Sequence, residues 1–76
     1  MMKVLLFGEL ADVIGKAAIE IKTLVNTNEL RQYLINEYPS LDKCHFQIAV
    51  NREQITSVKS LNNDDEIALL PPFAGG

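Results

Sequence analysis

The sequence of 76 residues contains one cysteine, no tryptophan and only four glycines. Because Cys44 has no partner in the chain, an internal disulfide is excluded and nothing requires an oxidising compartment. Gly8 and Gly15 lie too far apart for a glycine-rich phosphate loop. The composition therefore argues against a disulfide scaffold and against a nucleotide-binding loop.

Basic residues and long apolar runs are also scarce. Seven Lys and Arg stand against ten Asp and Glu, which gives a formal net charge of -3. The basic residues are scattered singly and form no concentrated face, so we predict no nucleic-acid partner. The apolar run at residues 4–7 is too short for a signal-peptide core or a membrane span. We therefore predict a cytoplasmic protein with no membrane partner.

The residues that most often carry catalysis or metal binding are sparse. His45 is the only histidine, and with Cys44 it supplies at most two ligands, fewer than zinc requires. A catalytic Cys-His pair must be in hydrogen-bond contact, whereas neighbours on a strand point to opposite faces. We predict no metal site, a small buried apolar role for Cys44, and a solvated turn for the acidic cluster at residues 64–66.

Apolar residues make up 47% of the chain, and their spacing predicts one small α+β domain. Alternating or continuous apolar runs predict strands at residues 3–7, 18–22, 46–50 and 66–70, with a short edge strand within 54–58. A helical spacing at residues 10–14 predicts one or two helical turns that end at Gly15.

The main helix has the clearest local signals. Asn26 is a good N-cap, and the Glu29 carboxylate is placed to reach back to the cap amide. Pro39 ends the helix. Apolar residues at helical spacing form one stripe, which we expect to pack on the sheet rather than to form a partner groove: Leu30, Tyr33, Leu34 and Tyr38.

The first and last strands are apolar on both faces, so we place them side by side and parallel at the centre of the sheet. One helix covers only one face of such a sheet. Two alternatives stand for the other face: the segment 8–15 folds over it, or it is an open partner site. The apolar residues concerned are Leu5, Phe7, Ala68 and Leu70.

The pattern divides the chain into a folded domain, residues 1–70, and a flexible C-terminal segment, residues 71–76, which ends in Gly-Gly. Pro71 and Pro72 fix two φ angles and donate no ladder hydrogen bond, so the last strand must stop before them. They also lower the entropy cost when a partner orders this segment. Phe73 supplies one apolar anchor.

The last three residues, Ala74, Gly75 and Gly76, carry no side chain larger than a methyl group. Such an end can enter a channel too narrow for ordinary side chains. The terminal carboxylate of Gly76 is ionised at neutral pH. It can attack an activated phosphate to form a mixed anhydride.

The Pro-Pro-Phe-Ala-Gly-Gly end, together with Phe7, the helix at 26–38 and the strand end at 49–51, resembles the small, sulfur-carrying subunit of molybdopterin synthase, the MoaD family. The resemblance covers essentially the whole chain. It implies a ubiquitin-like β-grasp fold: a mixed sheet of four to five strands with one main helix packed across one face.

The resemblance also implies a role as a sulfur carrier in molybdenum cofactor biosynthesis. An adenylating enzyme of the ubiquitin-activating kind joins Gly76 to AMP, using ATP with magnesium, and a sulfur donor protein converts it to a thiocarboxylate. The large subunit then holds the catalytic pocket in which this sulfur attacks cyclic pyranopterin monophosphate. The chain itself binds no cofactor. Besides Gly76 and its neighbour Gly75, the residues expected to contact partners are Phe7, Leu70, Pro71, Pro72, Phe73 and Ala74.

The sequence departs from the family pattern at three places. Residues 8–12 lack the arginines that relatives often carry there, and Arg52 and Asp64 stand where glycine is frequent. Three alternatives to the molybdopterin carrier remain at this point: a carrier of the thiamin pathway, a modifier conjugated to lysines through Gly76, and an interaction module whose C-terminal segment is inert.

Overall fold

The computed structural model describes residues 1–71. In chain order, this part contains β1 (Met2–Leu6), α1 (Glu9–Ile14), β2 (Ala18–Ile21), α2 (Thr27–Glu37), a 3₁₀-helix (Pro39–Lys43), β3 (Gln47–Val50), β4 (Glu53–Gln54) and β5 (Ile67–Leu70). The predicted elements are all present, and most boundaries agree to within one residue. The edge strand was predicted too late: β4 comes directly after a tight turn, because the chain reverses at residues 51–52 and pairs at once with β3.

The strands form one mixed sheet in the order β2-β1-β5-β3-β4. β1 and β5 are parallel neighbours, and every other pair is antiparallel. This confirms the α+β class, the mixed sheet and the parallel pairing of the first and last strands. The strand that leads into the C-terminal segment is therefore the middle strand, held by hydrogen bonds on both sides.

The core lies between α2 and one face of the sheet. Leu30 and Leu34 of α2 are fully buried, so the predicted core role of the helix stripe is confirmed for them, while Tyr33 and Tyr38 pack at its margin. β1 contributes alternate residues to the same cluster, and Leu10 of α1 also belongs to it. The buried residues of β1 and β5 on this face are Met2, Val4, Leu6, Ile67 and Leu69.

Of the two hydrogen bonds predicted to cap the start of α2, only one is present. The Asn26 side-chain oxygen accepts a hydrogen bond from the Glu29 amide at 2.9 Å. The Glu29 carboxylate, however, accepts from the amide of Val25, at 3.3 Å, and not from that of Asn26. Because Asn26 is fully extended, with φ of -151° and ψ of 174°, the preceding amide is the one within reach of Glu29.

Polar side chains tie the β3–β4 turn to the segment before β5. Asn51 and Arg52 both have positive φ, 52° and 70°, as a tight two-residue hairpin turn requires. The Asn51 side chain donates to the Asp65 carboxylate at 3.0 Å and accepts from the Glu66 amide at 3.0 Å. The Asp65 carboxylate also accepts from the Asn62 amide at 2.8 Å. The acidic cluster is therefore a hydrogen-bonded turn and not merely a solvated one.

These bonds lower the pKa of the Asp65 carboxyl from its ordinary value of 3.8, first through the Asn62 amide and then through the Asn51 side chain. A lowered pKa in the folded state stabilises the protein above the unfolded pKa, and this stability is lost as the pH falls through the folded pKa. We expect Asp65→Asn to lower the melting temperature at pH 7, with the difference from wild type shrinking as the pH falls below 3.8. Thermal unfolding monitored by circular dichroism from pH 2 to 7 checks this.

Asp64→Asn is the matched control, since it removes the same charge from the exposed neighbouring residue. Equal melting temperatures for the two variants at pH 7 would show that the bonds to Asp65 contribute nothing.

Within residues 1–71, no helix combines the length and the apolar character that crossing a membrane demands.

An open apolar sheet face beside the C-terminal segment

The face of the sheet opposite α2 carries a row of apolar side chains. Strand register places Ala68 of β5 between Leu5 of β1 and Ala49 of β3. Phe7 and Leu70 lie beyond this row, toward the C-terminal end of β5. Together with two charged residues they line a shallow depression of about 410 Å³, which we call the open face: Leu5, Phe7, Ala49, Arg52, Glu66, Ala68 and Leu70.

The segment between β1 and β2 does not cover the open face. Leu10 of α1 is fully buried in the core cluster with Val4 and Leu6, which point away from the open face. None of the residues that line the depression comes from α1. The alternative in which residues 8–15 fold over this face is therefore wrong, and Phe7 remains 46% exposed.

A charged pair marks one edge of the open face. Arg52 Nε lies 3.5 Å from Glu66 Oε1, and both side chains are well exposed. An exposed pair of this kind contributes only about 0–1 kcal/mol to stability. Its position is more informative, because it places both charges at the edge of the open face. The middle of the face is uncharged, so a partner can bury it without desolvating a charge.

Sequence patterns did not indicate Ala49, Arg52 or Glu66 as site residues. Arg52 follows β3 in the hairpin turn, and Glu66 directly precedes β5. They meet at the rim because β3 and β5 are neighbours with Val50 opposite Ile67. Only the pairing of β3 with β5 could have indicated that Arg52 and Glu66 lie side by side. The alternation of residues within one strand does not reveal which strands pair.

The predicted partner-contact residues divide into two groups. Phe7, Leu70 and Pro71 are described, and all three lie at the same end of the central strand pair, where the Phe7 amide donates to the Leu69 carbonyl at 3.3 Å. Leu70 and Pro71 are half-buried. The remaining five lie outside the described residues, and their roles stay predictions: Pro72, Phe73, Ala74, Gly75 and Gly76.

Cys44 and His45 do not form a pair of functional side chains. Cys44 is half-buried beside the core, where its Sγ lies 3.6 Å from the Ser40 carbonyl oxygen. It is thus less deeply buried than predicted, because it lies in the connection between the 3₁₀-helix and β3. His45 is exposed. In residues 1–71 no group of three or more His, Cys, Asp or Glu side chains is arranged to hold a metal ion.

Comparison with solved structures identifies the fold. The small archaeal modifier protein 1 (SAMP1) from Methanosarcina acetivorans superposes with a TM-score of 0.81, covering 99% of this chain and 95% of that one at 24% identity. SAMP1 from Haloferax volcanii superposes with a TM-score of 0.76, covering 99% and 98%, again at 24% identity. The implied ubiquitin-like β-grasp fold is confirmed.

Comparison of sequences identifies the family. The model of the ThiS family matches residues 4–76. A molybdopterin synthase sulfur carrier subunit from Caenorhabditis briggsae is 33% identical, with 99% of this chain and 96% of that protein covered. The subunit from Dictyostelium discoideum is 35% identical, with 97% of this chain and 94% of that protein covered. The subunit from Escherichia coli strain K12 is 31% identical, with the full length of both proteins covered. The chain belongs to the ThiS family, among the relatives of the molybdopterin synthase sulfur carrier subunits.

Proposed function

We propose that this chain is the sulfur carrier subunit of a molybdopterin synthase. The observation that carries the proposal is the similarity to such subunits over 97–100% of the chain, together with the family model, whose match runs through Gly76. The structure supports it in a second way. An open apolar face lies beside the strand from which the C-terminal segment leaves, so one partner can hold the face and receive the segment.

The chemistry rests on the Gly76 carboxylate. This carboxylate attacks the α-phosphorus of ATP in the adenylating enzyme, and pyrophosphate leaves with the displaced electron pair. A sulfide equivalent from the donor protein then attacks the acyl carbon, and AMP leaves. The product is a thiocarboxylate, whose sulfur is a softer and better nucleophile than the carboxylate oxygen. Magnesium binds with ATP in the adenylating enzyme. This chain itself binds neither magnesium nor ATP.

The large subunit is the partner that we assign to the open face. Phe7 and Leu70 supply apolar contacts, and the C-terminal segment delivers Gly76 into the large subunit's active site. There the thiocarboxylate sulfur attacks cyclic pyranopterin monophosphate. We assign the catalytic pocket to the large subunit. The cytoplasmic location stays a prediction from the sequence.

Intact-mass analysis of the protein purified from its native host tests the proposal. We expect a population whose C-terminus has exchanged one oxygen for sulfur, and we expect alkylation of the thiocarboxylate to shift the mass of that population alone. Adducts on lysines of other proteins would instead indicate a modifier. Finding neither in cells that contain the cognate adenylating enzyme would overturn the proposal in favour of an interaction module.

A further inference from the structure

Gly8 and Pro71 touch at the point where the described chain leaves the sheet. A Cβ atom placed on Gly8 would lie 2.9 Å from Cγ of Pro71, which is closer than ordinary carbon contacts allow. Cδ and Cβ of the same proline ring would lie at 3.7 and 3.8 Å. The proline ring therefore occupies the space that any other residue at position 8 would need for its side chain.

Gly8 is held in place from both sides. Its carbonyl oxygen accepts the Ala11 amide at 3.2 Å, and the carbonyl of Phe7 accepts the Leu10 amide at 3.1 Å, so the first turn of α1 fixes it from one side. The Phe7 amide donates to the Leu69 carbonyl and fixes it from the other. Its φ of 57° and ψ of -137° lie in a region that residues with a Cβ rarely adopt.

These contacts hold the Cα of Gly8, which carries no side chain, in a fixed position against Pro71, the first residue of the C-terminal segment. Leu70 is the last residue paired in the sheet, opposite Gln47, so no ladder hydrogen bond directs the chain beyond it. Pro71 has a fixed φ and no amide hydrogen. Contacts of the proline ring therefore help to set the direction of the chain at Pro71, and Gly8 lies against one side of that ring.

We propose that Gly8 is a positioning residue for the reaction at Gly76. The Pro71 ring packs against the Cα of Gly8, a contact that we call the seat, and this contact sets the direction in which the chain leaves the sheet at Pro71. This inference rests on the proposed function. It places this contact directly beside Phe7, so a partner that binds the open face also meets Pro71 at a fixed position. In this role Gly8 acts through Pro71 and not on the reacting atoms.

A double-mutant cycle tests the seat. Gly8→Ala places a Cβ against the proline ring, whereas Pro71→Ala removes Cγ and leaves room for that Cβ. We measure adenylation of Gly76 by the cognate adenylating enzyme for wild type, both single variants and the double variant. We expect Gly8→Ala to lower kcat on the order of tenfold, since misplacement of a reacting group by about 1 Å costs up to about a hundredfold. We expect KM, which reflects docking of the folded domain on the adenylating enzyme, to change less.

Gly15→Ala is the matched control. Gly15 lies at the other end of α1 with φ of 85°, so alanine there is also strained, but its added Cβ would meet nothing within 4 Å. We expect Gly15→Ala to lower the melting temperature without changing kcat. In the Pro71→Ala background, Gly8→Ala should cost no more in kcat than Gly15→Ala does.

The possible results distinguish failure of the proposed function from failure of the positioning role. If wild type is not adenylated at all, the proposed function fails. If wild type is adenylated but the two substitutions in the cycle are additive, or Gly15→Ala lowers kcat as much as Gly8→Ala, the positioning role is overturned. Should Gly8→Ala not fold, the nuclear Overhauser contact between the Gly8 α-protons and the Pro71 γ-protons in wild type decides, because its absence would also refute the seat.

Discussion

Deleting Gly76 should abolish adenylation and sulfur loading while leaving the melting temperature unchanged. The deletion moves the terminal carboxylate back by one residue, about 3.3–3.6 Å of extended chain, which takes the nucleophile out of reach of the α-phosphorus. The core and the sheet lie within residues 2–70, so the fold loses no contact that we describe. Pyrophosphate exchange with the cognate adenylating enzyme measures the first effect, and circular dichroism measures the second.

Two companion variants locate the cause of this loss. One residue added after Gly76 removes the carboxylate from its position without shortening the chain, and we expect it to be equally inactive. Gly76→Ala keeps the chain length and the carboxylate and adds only a methyl group, so we expect it to retain partial activity. Full activity of the deletion would show that the terminal carboxylate is not the working group.

Phe7→Glu should weaken binding to the large subunit roughly 30- to 1,000-fold. This range corresponds to about 2–4 kcal/mol, the cost typical of losing an aromatic anchor in an interface. The glutamate would bring an unpaired charge into a face whose centre has none. Because Phe7 is already 46% exposed, we expect the fold to tolerate the change. Isothermal titration calorimetry of the variant against the purified large subunit measures the loss.

Val58→Glu is the matched control for this experiment. Val58 is 64% exposed and does not line the open face, so the same charge there should leave the affinity for the large subunit within about twofold, as surface changes outside an interface usually do. An equal loss for both variants would mean that net charge, and not the open face, governs binding.

Much of the fold was predictable because its signals are local. The continuous apolar runs of β1 and β5 indicated central, parallel neighbours, and the spacing of Leu30 and Leu34 indicated the buried side of α2. The side on which α1 packs was not predictable. Its apolar spacing shows that Leu10 must be buried, but not which face of the sheet it covers, since that depends on the direction in which the chain turns at Gly8.

The candidate site was predictable in its apolar part and not at its rim. Alternation along β1 and β5 placed Leu5 and Ala68 on one face. The presence of Arg52 beside Glu66 depends on the positive φ of Asn51 and Arg52 and on the register of two strands that are distant in sequence. The contact between Gly8 and Pro71 is likewise a product of the parallel pairing of β1 with β5, and no pattern within either segment indicates it.

A single-turnover reaction tests whether the sulfur on Gly76 is the sulfur that enters molybdopterin. Thiocarboxylated protein is mixed with the large subunit and cyclic pyranopterin monophosphate, and both molybdopterin and the mass of the carrier are followed with time. We expect molybdopterin to appear as the carrier returns to the mass of the plain carboxylate, with two carriers consumed for each dithiolene formed. A thiocarboxylate that persists unchanged beside an active large subunit would contradict it.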